Sequence, residues 1–216
     1  MAESYGTGNN GPRMLCGNFD IHEQFERKLA NFLGKEFALA FSSGYLACMS
    51  VITGIARKGD LILMDKLCHN SLQTGAKLCE AKTVRFPHND FVAARKLLKK
   101  EKFTGKLIVV IEGVYSMDGD IGDLPAARLL ADEYKGVLIL DEAHALGTIG
   151  KTGRGCEEHF EYKARADIIC GSLTKSLGSL GGFIVCTDKL RFFYAFHAHG
   201  AVFSAPLSAF NTAAGL

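Results

Sequence analysis

Apolar residues fall along the chain in two rhythms. Short unbroken runs at Phe37–Phe41, Leu61–Met64, Thr83–Phe86, Leu107–Ile111, Val137–Leu140, Ile168–Cys170 and Gly182–Cys186 are too short for helices and read as strands. Between them, helix-period stretches cover Ile21–Leu33, Gly44–Ala56, Ser71–Glu80, Phe91–Lys100 and Pro125–Tyr134. Pro125 stands at a helix start, where its missing N–H costs nothing. Runs without polar alternation suit strands covered on both faces, as in a mainly parallel sheet. The repeated strand–helix order predicts an α/β fold with that sheet at the centre and helices on both sides. No repeat or low-complexity linker divides the chain, so a Gly-rich N-terminal segment over residues 1–20 and one large domain over 21–216 are expected.

Composition narrows the picture by exclusion. The chain has 216 residues, 48% of them hydrophobic, and a formal charge of +2, the profile of an ordinary folded domain. That balance gives no electrostatic footprint for nucleic acid, and the Lys99-Lys100-Glu101-Lys102 patch reads as a solvated helix end. Met1–Gly6 lacks the basic and apolar parts of a signal peptide. No apolar run approaches the ~20 residues that span a bilayer. Seven cysteines are scattered without C-x-x-C spacing, which argues against a disulfide framework or a zinc site and for reduced, mostly buried thiols. The bare Gly-rich start and the abrupt Ala213-Ala214-Gly215-Leu216 end read as those of a fragment.

Gly6-Thr7-Gly8-Asn9-Asn10-Gly11 matches G-x-G-x-x-G, the dinucleotide fingerprint. That motif works only after a strand and at the start of a helix. Only five residues precede it and Pro12 follows, so it reads as a flexible loop, and a dehydrogenase rests on nothing else. A Walker A sequence is also lacking.

Polar residues gather where strands end, the rim at which open α/β sheets bind ligands. Ser42-Ser43-Gly44-Tyr45 follow one run, Asp65 and His69 the next, then Glu112 and Ser116, and then Asp141 and His144. Gly171-Ser172-Leu173-Thr174-Lys175-Ser176-Leu177-Gly178 surrounds one lysine with small and hydroxylated residues. Such neighbours let a planar cofactor approach, and a Schiff-base lysine needs desolvation or nearby cations to free its amine. Val137-Leu138-Ile139-Leu140-Asp141 ends a strand on a carboxylate, the group that keeps a pyridine nitrogen protonated. Taken singly, each residue has a plain reading. Lys175 is a surface lysine, His69 a core or turn histidine, Gly44-Tyr45 a strand-to-helix turn and Glu112 a satisfied structural carboxylate. Asp141-Glu142 also fits magnesium binding in nucleotide hydrolases, but there a P-loop supplies the other half.

The combination is more specific. Asp141-Glu142-Ala143-His144 and the Lys175 loop resemble those of the α-oxoamine synthases, fold-type I enzymes of pyridoxal 5'-phosphate (PLP). Gly17–His22, Phe86-Pro87-His88-Asn89-Asp90, Glu112–Gly119, Gly150–Gly155 and His197–Val202 extend the likeness along nearly the whole chain. It implies a PLP-binding large domain, with the family's C-terminal small domain not included. It further implies that Lys175 carries the cofactor, Asp141 holds the pyridine nitrogen and His144 the phenolic oxygen, while His69 stacks on the ring. Gly44, Tyr45, Ser172 and Thr174 would hold the phosphate, and Glu112 and Ser116 would line the ring's far side; no metal is implied. Within the family the chain is most similar to the lysine-bearing subunit of serine palmitoyltransferase. That likeness implies condensation of serine with palmitoyl-CoA to a 3-keto sphingoid base, in a homodimer or a heterodimer with a homologous subunit. The alternatives are glycine with succinyl-CoA or, as in a glycine C-acetyltransferase, with acetyl-CoA, alanine with a pimeloyl thioester, and a non-catalytic partner subunit. The setting implied is cytoplasmic, or the cytosolic face of the endoplasmic reticulum in a eukaryote. Phe203-Ser204-Ala205-Pro206-Leu207-Ser208 departs from the family's Thr/Ser-rich turn into Pro-Pro, a turn that in relatives reaches the partner subunit's phosphate.

Overall fold

A computed structural model of the chain describes residues 2–216. In chain order the elements are α1 (Ala2–Tyr5), α2 (Asp20–Leu33), β1 (Phe37–Phe41), α3 (Gly44–Thr53), β2 (Leu61–Asp65), α4 (Asn70–Lys77), β3 (Lys82–Phe86) and α5 (Phe91–Leu98). They continue with β4 (Leu107–Glu112), α6 (Leu124–Glu133), β5 (Val137–Asp141), α7 (Cys156–His159), β6 (Ile168–Ser172), β7 (Gly182–Cys186), α8 (Asp188–His197), α9 (His199–Val202) and α10 (Ala209–Ala214).

The strands form one sheet in the order β1-β7-β6-β5-β4-β2-β3. Pairings from β3 through β6 are parallel, whereas β7 runs antiparallel to both of its neighbours. The sheet is therefore mixed at one end. With period two, Leu61, Leu63, Leu107, Val109, Leu138 and Leu140 pack toward α2, α5 and α6. Ile62, Met64, Ile108, Val110, Ile139 and Ile184 pack toward α3 and α4. Each fully buried aliphatic side chain contributes about 1.5–3 kcal/mol, which is why the central runs tolerate no polar alternation. The edge strand β3 is the exception, with Lys82, Thr83 and Arg85 exposed.

Local chemistry sets the helix starts. Ser43 accepts from the Leu46 N–H ahead of α3, Asp90 from Ala93 ahead of α5 and Asp123 from Ala126 ahead of α6. Gly34 ends α2 in the left-handed region at φ 62°, a conformation that a side chain resists. The Gly-rich N-terminal segment is pinned rather than free. Asn9 is buried and donates to the carbonyls of Gly17 and Leu207, and Arg13 pairs with Glu26. Among the described residues the G-x-G-x-x-G match lies between α1 and a turn and opens no helix, so it has no dinucleotide geometry.

Two consequences place the site. After β2 the chain first steps outward to β3 and then returns to β4 on the other side of β2, which opens a crevice at the carboxyl ends. Because β7 reverses between β6 and β1, those two strands run the same way and end on the same rim. Gly182 at the start of β7 stands opposite both Phe41 and Ser172. Among the described residues, no helix is long and apolar enough to cross a membrane.

Candidate active site

A cavity of about 260 Å³ lies on that rim, lined by Ser43, Gly44, Tyr45, Cys48, His69, Ser71, Glu112, Asp141, Ala143, His144, Ser172, Thr174 and Lys175. Five segments far apart in sequence converge there. Nine of the ten residues singled out from the sequence line it. The tenth, Ser116, does not. It is exposed on the loop after β4, and its side chain does not reach the cavity. Asp65 ends β2 but is also turned away, its carboxylate consumed by Leu67 N–H, Asn89 N–H and His88.

The phosphate end of such a cavity needs donors without helical partners. At α3 the Leu46 N–H is capped by Ser43 Oγ and that of Ala47 reaches the Ser43 carbonyl. The N–H groups of Gly44 and Tyr45 come before the first helical acceptor and sit where the helix dipole favours an anion. Close packing brings this helix end to the sheet. A Cβ on Gly44 would come within 2.6 Å of Ser172 Cβ and Oγ, and one on Gly182 within 2.5 Å of Gly44 Cα. Ser172 Oγ lies 2.7 Å from Thr174 Oγ1 and accepts from the Thr174 N–H at 3.2 Å, so two hydroxyls face the same corner.

The opposite end is acidic. Glu112 and Asp141 are direct neighbours across the β4–β5 ladder and therefore share a face. Burial and the adjacent Asp141 charge push Glu112 up to about 8, so it keeps its proton at neutral pH. Burial also raises Asp141, opposed by the Ala143 N–H at 2.9 Å and the Cys48 thiol at 3.3 Å. This carboxylate has donors but no full cationic partner, which suits a protonated ring nitrogen. His144 is lowered by burial and by the Lys175 charge, leaving a neutral imidazole with one N–H to give. His69 caps α4, with Nδ1 2.7 Å from Ser71 Oγ and its backbone N–H bonded to Glu112. Tyr45 meets the His69 ring edge-on at 6.5 Å.

Lys175 sits at the cavity mouth and is exposed, not desolvated as its chemistry requires. The desolvation must come from whatever fills the cavity. Its loop is nonetheless held. Leu173 N–H donates to Gly181 O, Ser179 N–H to Leu173 O, and Ser176 Oγ to Leu146 O on the segment after β5. The donor set, the anion-binding helix end and the free carboxylate together fit PLP.

Of three further lining residues, Ser43 entered the sequence reading only as a polar residue after a strand, and Ser71 and Cys48 did not enter it as site residues. Ser43 and Ser71 were findable as small polar residues at helix starts. Cys48 was not, since its contact with Asp141 joins residues 93 apart. The ligand atoms of Cys48, Asp141 and Cys170 all lie within 4.8 Å of one another. Cys170 stands well above a free thiol, chiefly through burial. Cys48 is pushed up to about 11, its hydrogen bond from Cys170 outweighed by burial and the Asp141 charge. Both are therefore neutral donors rather than thiolates.

Fold and site together define the large domain of a fold-type I PLP transferase. The chain belongs to the aminotransferase class I and II family, whose model matches residues 2–215. It is 38% identical over 205 residues to the 8-amino-7-oxononanoate synthase of Geobacter sulfurreducens, covering 95% of this chain and 52% of that one. Among solved structures, the serine palmitoyltransferase of Sphingomonas wittichii superposes with a TM-score of 0.94 at 34% identity, over 99% of this chain and 54% of that one. The 8-amino-7-oxononanoate synthase of Francisella tularensis gives 0.80 at 30% identity, over 99% and 59%. Both neighbours are α-oxoamine synthases. The chain spans about half the length of the curated relatives it matches.

Proposed function

We propose that the full-length protein is an α-oxoamine synthase that joins an amino acid to an acyl thioester with loss of carbon dioxide. The observation that carries this reading is the single cavity in which Lys175, Asp141, His69, His144 and the α3 N-terminus converge. PLP, when bound, supplies an aldehyde for an amine and a protonated ring that draws electron density from the substrate's Cα. The chain's own residues do the rest. Asp141 keeps the proton at the ring nitrogen, and Glu112, itself protonated, adds no second negative charge. Gly44, Tyr45, Ser172 and Thr174 bind the phosphate, His69 packs on the ring face, and neutral His144 donates to the phenolic oxygen. Lys175 Nζ is the amine that meets the aldehyde and the base that takes the Cα proton. The Cα pair forms the new C–C bond, the thiolate leaves and picks up a proton, carbon dioxide departs, and a proton returns to carbon.

For the substrates, the curated relatives displace the expectation of serine and palmitoyl-CoA. Higher identity to an 8-amino-7-oxononanoate synthase favours alanine with a pimeloyl thioester. Serine with palmitoyl-CoA stays as the second reading, supported by the closer superposition on a serine palmitoyltransferase. A homodimer in a bacterial-type cytoplasm goes with the first reading, and a heterodimer with a homologous subunit with the second. Thiol release from each amino acid–thioester pair, measured on full-length protein, separates them: turnover with serine alone would reverse the preference. A visible absorption band with PLP that is lost in Lys175→Ala but kept in Lys163→Ala is expected; equal bands would remove Lys175 from its role.

A further inference from the structure

His88 lies outside the cavity, between β3 and α5, yet two routes lead from it into the site. Its Nδ1 stands 3.1 Å from both carboxylate oxygens of Asp65, and its Nε2 stands 2.7 Å from Asp120 Oδ2. Ionised carboxylates only accept, so both ring nitrogens must donate, and only an imidazolium completes the two bonds. Asn89 reinforces the bridge from the left-handed region at φ 52°. Its backbone N–H donates to Asp65 at 2.9 Å, its Nδ2 to Asp120 at 3.0 Å, and its Oδ1 accepts from Asp123 N–H at 3.1 Å.

From Asp65 the first route follows a turn, held by the Leu67 N–H on the same carboxylate, to His69. The His69 backbone N–H then bonds Glu112. From Asp120 the second route returns along the loop after β4, where Tyr115 N–H donates to the Asp120 carbonyl at 3.0 Å and Gly119 N–H to Tyr115 O at 2.8 Å. It also ends at Glu112, whose backbone N–H donates to Tyr115 Oη at 3.4 Å. His88 thus closes a ring of contacts around Glu112.

We infer that His88 is a positioning residue. As an imidazolium bridging Asp65 and Asp120, it holds the His69 turn in register with the Glu112 loop and so shapes one wall of the cavity. The link to cofactor rests on the PLP reading of that cavity; the link from His88 to His69 does not. The titratable groups facing the ring are Asp65 at the end of β2, and Asp120 and Tyr115 on the loop after β4, Tyr115 edge-on at 4.4 Å. Asp90 and Asp123 nearby spend their carboxylates as caps of α5 and α6. Burial opposes the charge on His88, but its hydrogen bonds to Asp120 and Asp65 outweigh it and raise its pKa above the usual imidazole value. The clasp is therefore complete below about pH 6.5, the ordinary histidine pKa, and is lost as pH rises through the raised one.

The test is a proton NMR titration of the full-length, cofactor-free protein carrying 13C-labelled histidine, with resonances assigned from His69→Gln and His88→Gln. His88 is expected to titrate above the ordinary histidine range, and the His69 resonance to move with the same midpoint. That movement disappears in His88→Gln. In Asp120→Asn the amide can donate to a bare Nε2, a neutral ring completes both bonds, and the midpoint falls by about one pH unit. A His88 midpoint at or below the ordinary value, or a His69 resonance indifferent to it, overturns the inference. If His88→Gln fails to fold, the wild-type and Asp120→Asn titrations still decide. In a second arm, PLP affinity by fluorescence is expected to be about tenfold weaker in His88→Gln at pH 6 and to converge with wild type at pH 9. Equal affinity at pH 6 removes the effect on the cavity, whereas no PLP binding by wild type counts against the proposed function and leaves the NMR result standing.

Discussion

Replacing Glu112 by glutamine should change how the stability of the cofactor-free protein responds to pH. Glu112 is buried beside Asp141, and its pKa rises from the ordinary 4.5 to about 8. An acid raised in this way keeps a proton in the folded state that the unfolded chain has already released. Folding therefore loses stability as pH climbs from about 4.5 to about 8, and the loss is complete above that window. At about 1.36 kcal/mol per pH unit, the ceiling is about 5 kcal/mol, and relaxation with water entry reduces it to roughly half. Glutamine is nearly isosteric, keeps an oxygen to accept the His69 N–H, and has no proton to release. Urea denaturation of wild type and Glu112→Gln at pH 5, 7 and 9 checks this. The variant's stability relative to wild type should rise by about 2–5 kcal/mol between pH 5 and pH 9. Glu142, also raised to about 8 by burial, is present in both proteins and cancels in the difference. Parallel curves for the two proteins would refute a proton held by Glu112.

Other substitutions test separate parts of the site. Gly44→Ala puts a Cβ 2.6 Å from Ser172, so it should cost about 1–3 kcal/mol and weaken binding of inorganic phosphate together with PLP, as calorimetry would show. Ser43→Ala removes the α3 cap and should cost about 0.5–2 kcal/mol in thermal melting while leaving the cavity side chains in place. Asp141→Asn should leave the fold intact but abolish turnover and shift the visible spectrum of bound PLP, because the ring nitrogen loses its proton partner; an unchanged spectrum would place the ring elsewhere.

The sheet was legible in the sequence because central strands buried on both faces leave an unbroken apolar signature. The strand ends were less so. Apolar runs stop at Met64, Ile111, Leu140 and Cys170, whereas the strands continue to Asp65, Glu112, Asp141 and Ser172. Backbone pairing carries on past the last hydrophobe, and three of those trimmed residues, Glu112, Asp141 and Ser172, line the cavity. Helix α8 gave no usable face, since Phe192, Phe193 and Phe196 are all exposed. For the site, nine residues named through motif spacing and family resemblance line one cavity. Ser116 stands outside that cavity because a loop's direction is set by contacts far from its own sequence, here those made by Asp120 and Tyr115. The thiol of Cys48 beneath Asp141 follows from helix packing alone and leaves no local mark.

The reversed strand β7 has a consequence for how the polypeptide matures on the ribosome. β1 touches the sheet only through β7, roughly 145 residues downstream. While the chain is still emerging, the segment that will become β1 has no docking edge, and α3 lacks the surface it will finally cover. Closing so long a loop is slow compared with local helix formation. The corner at the α3 N-terminus is thus completed only after β7 has emerged, and a ligand there would capture only chains in which that strand has already been laid in.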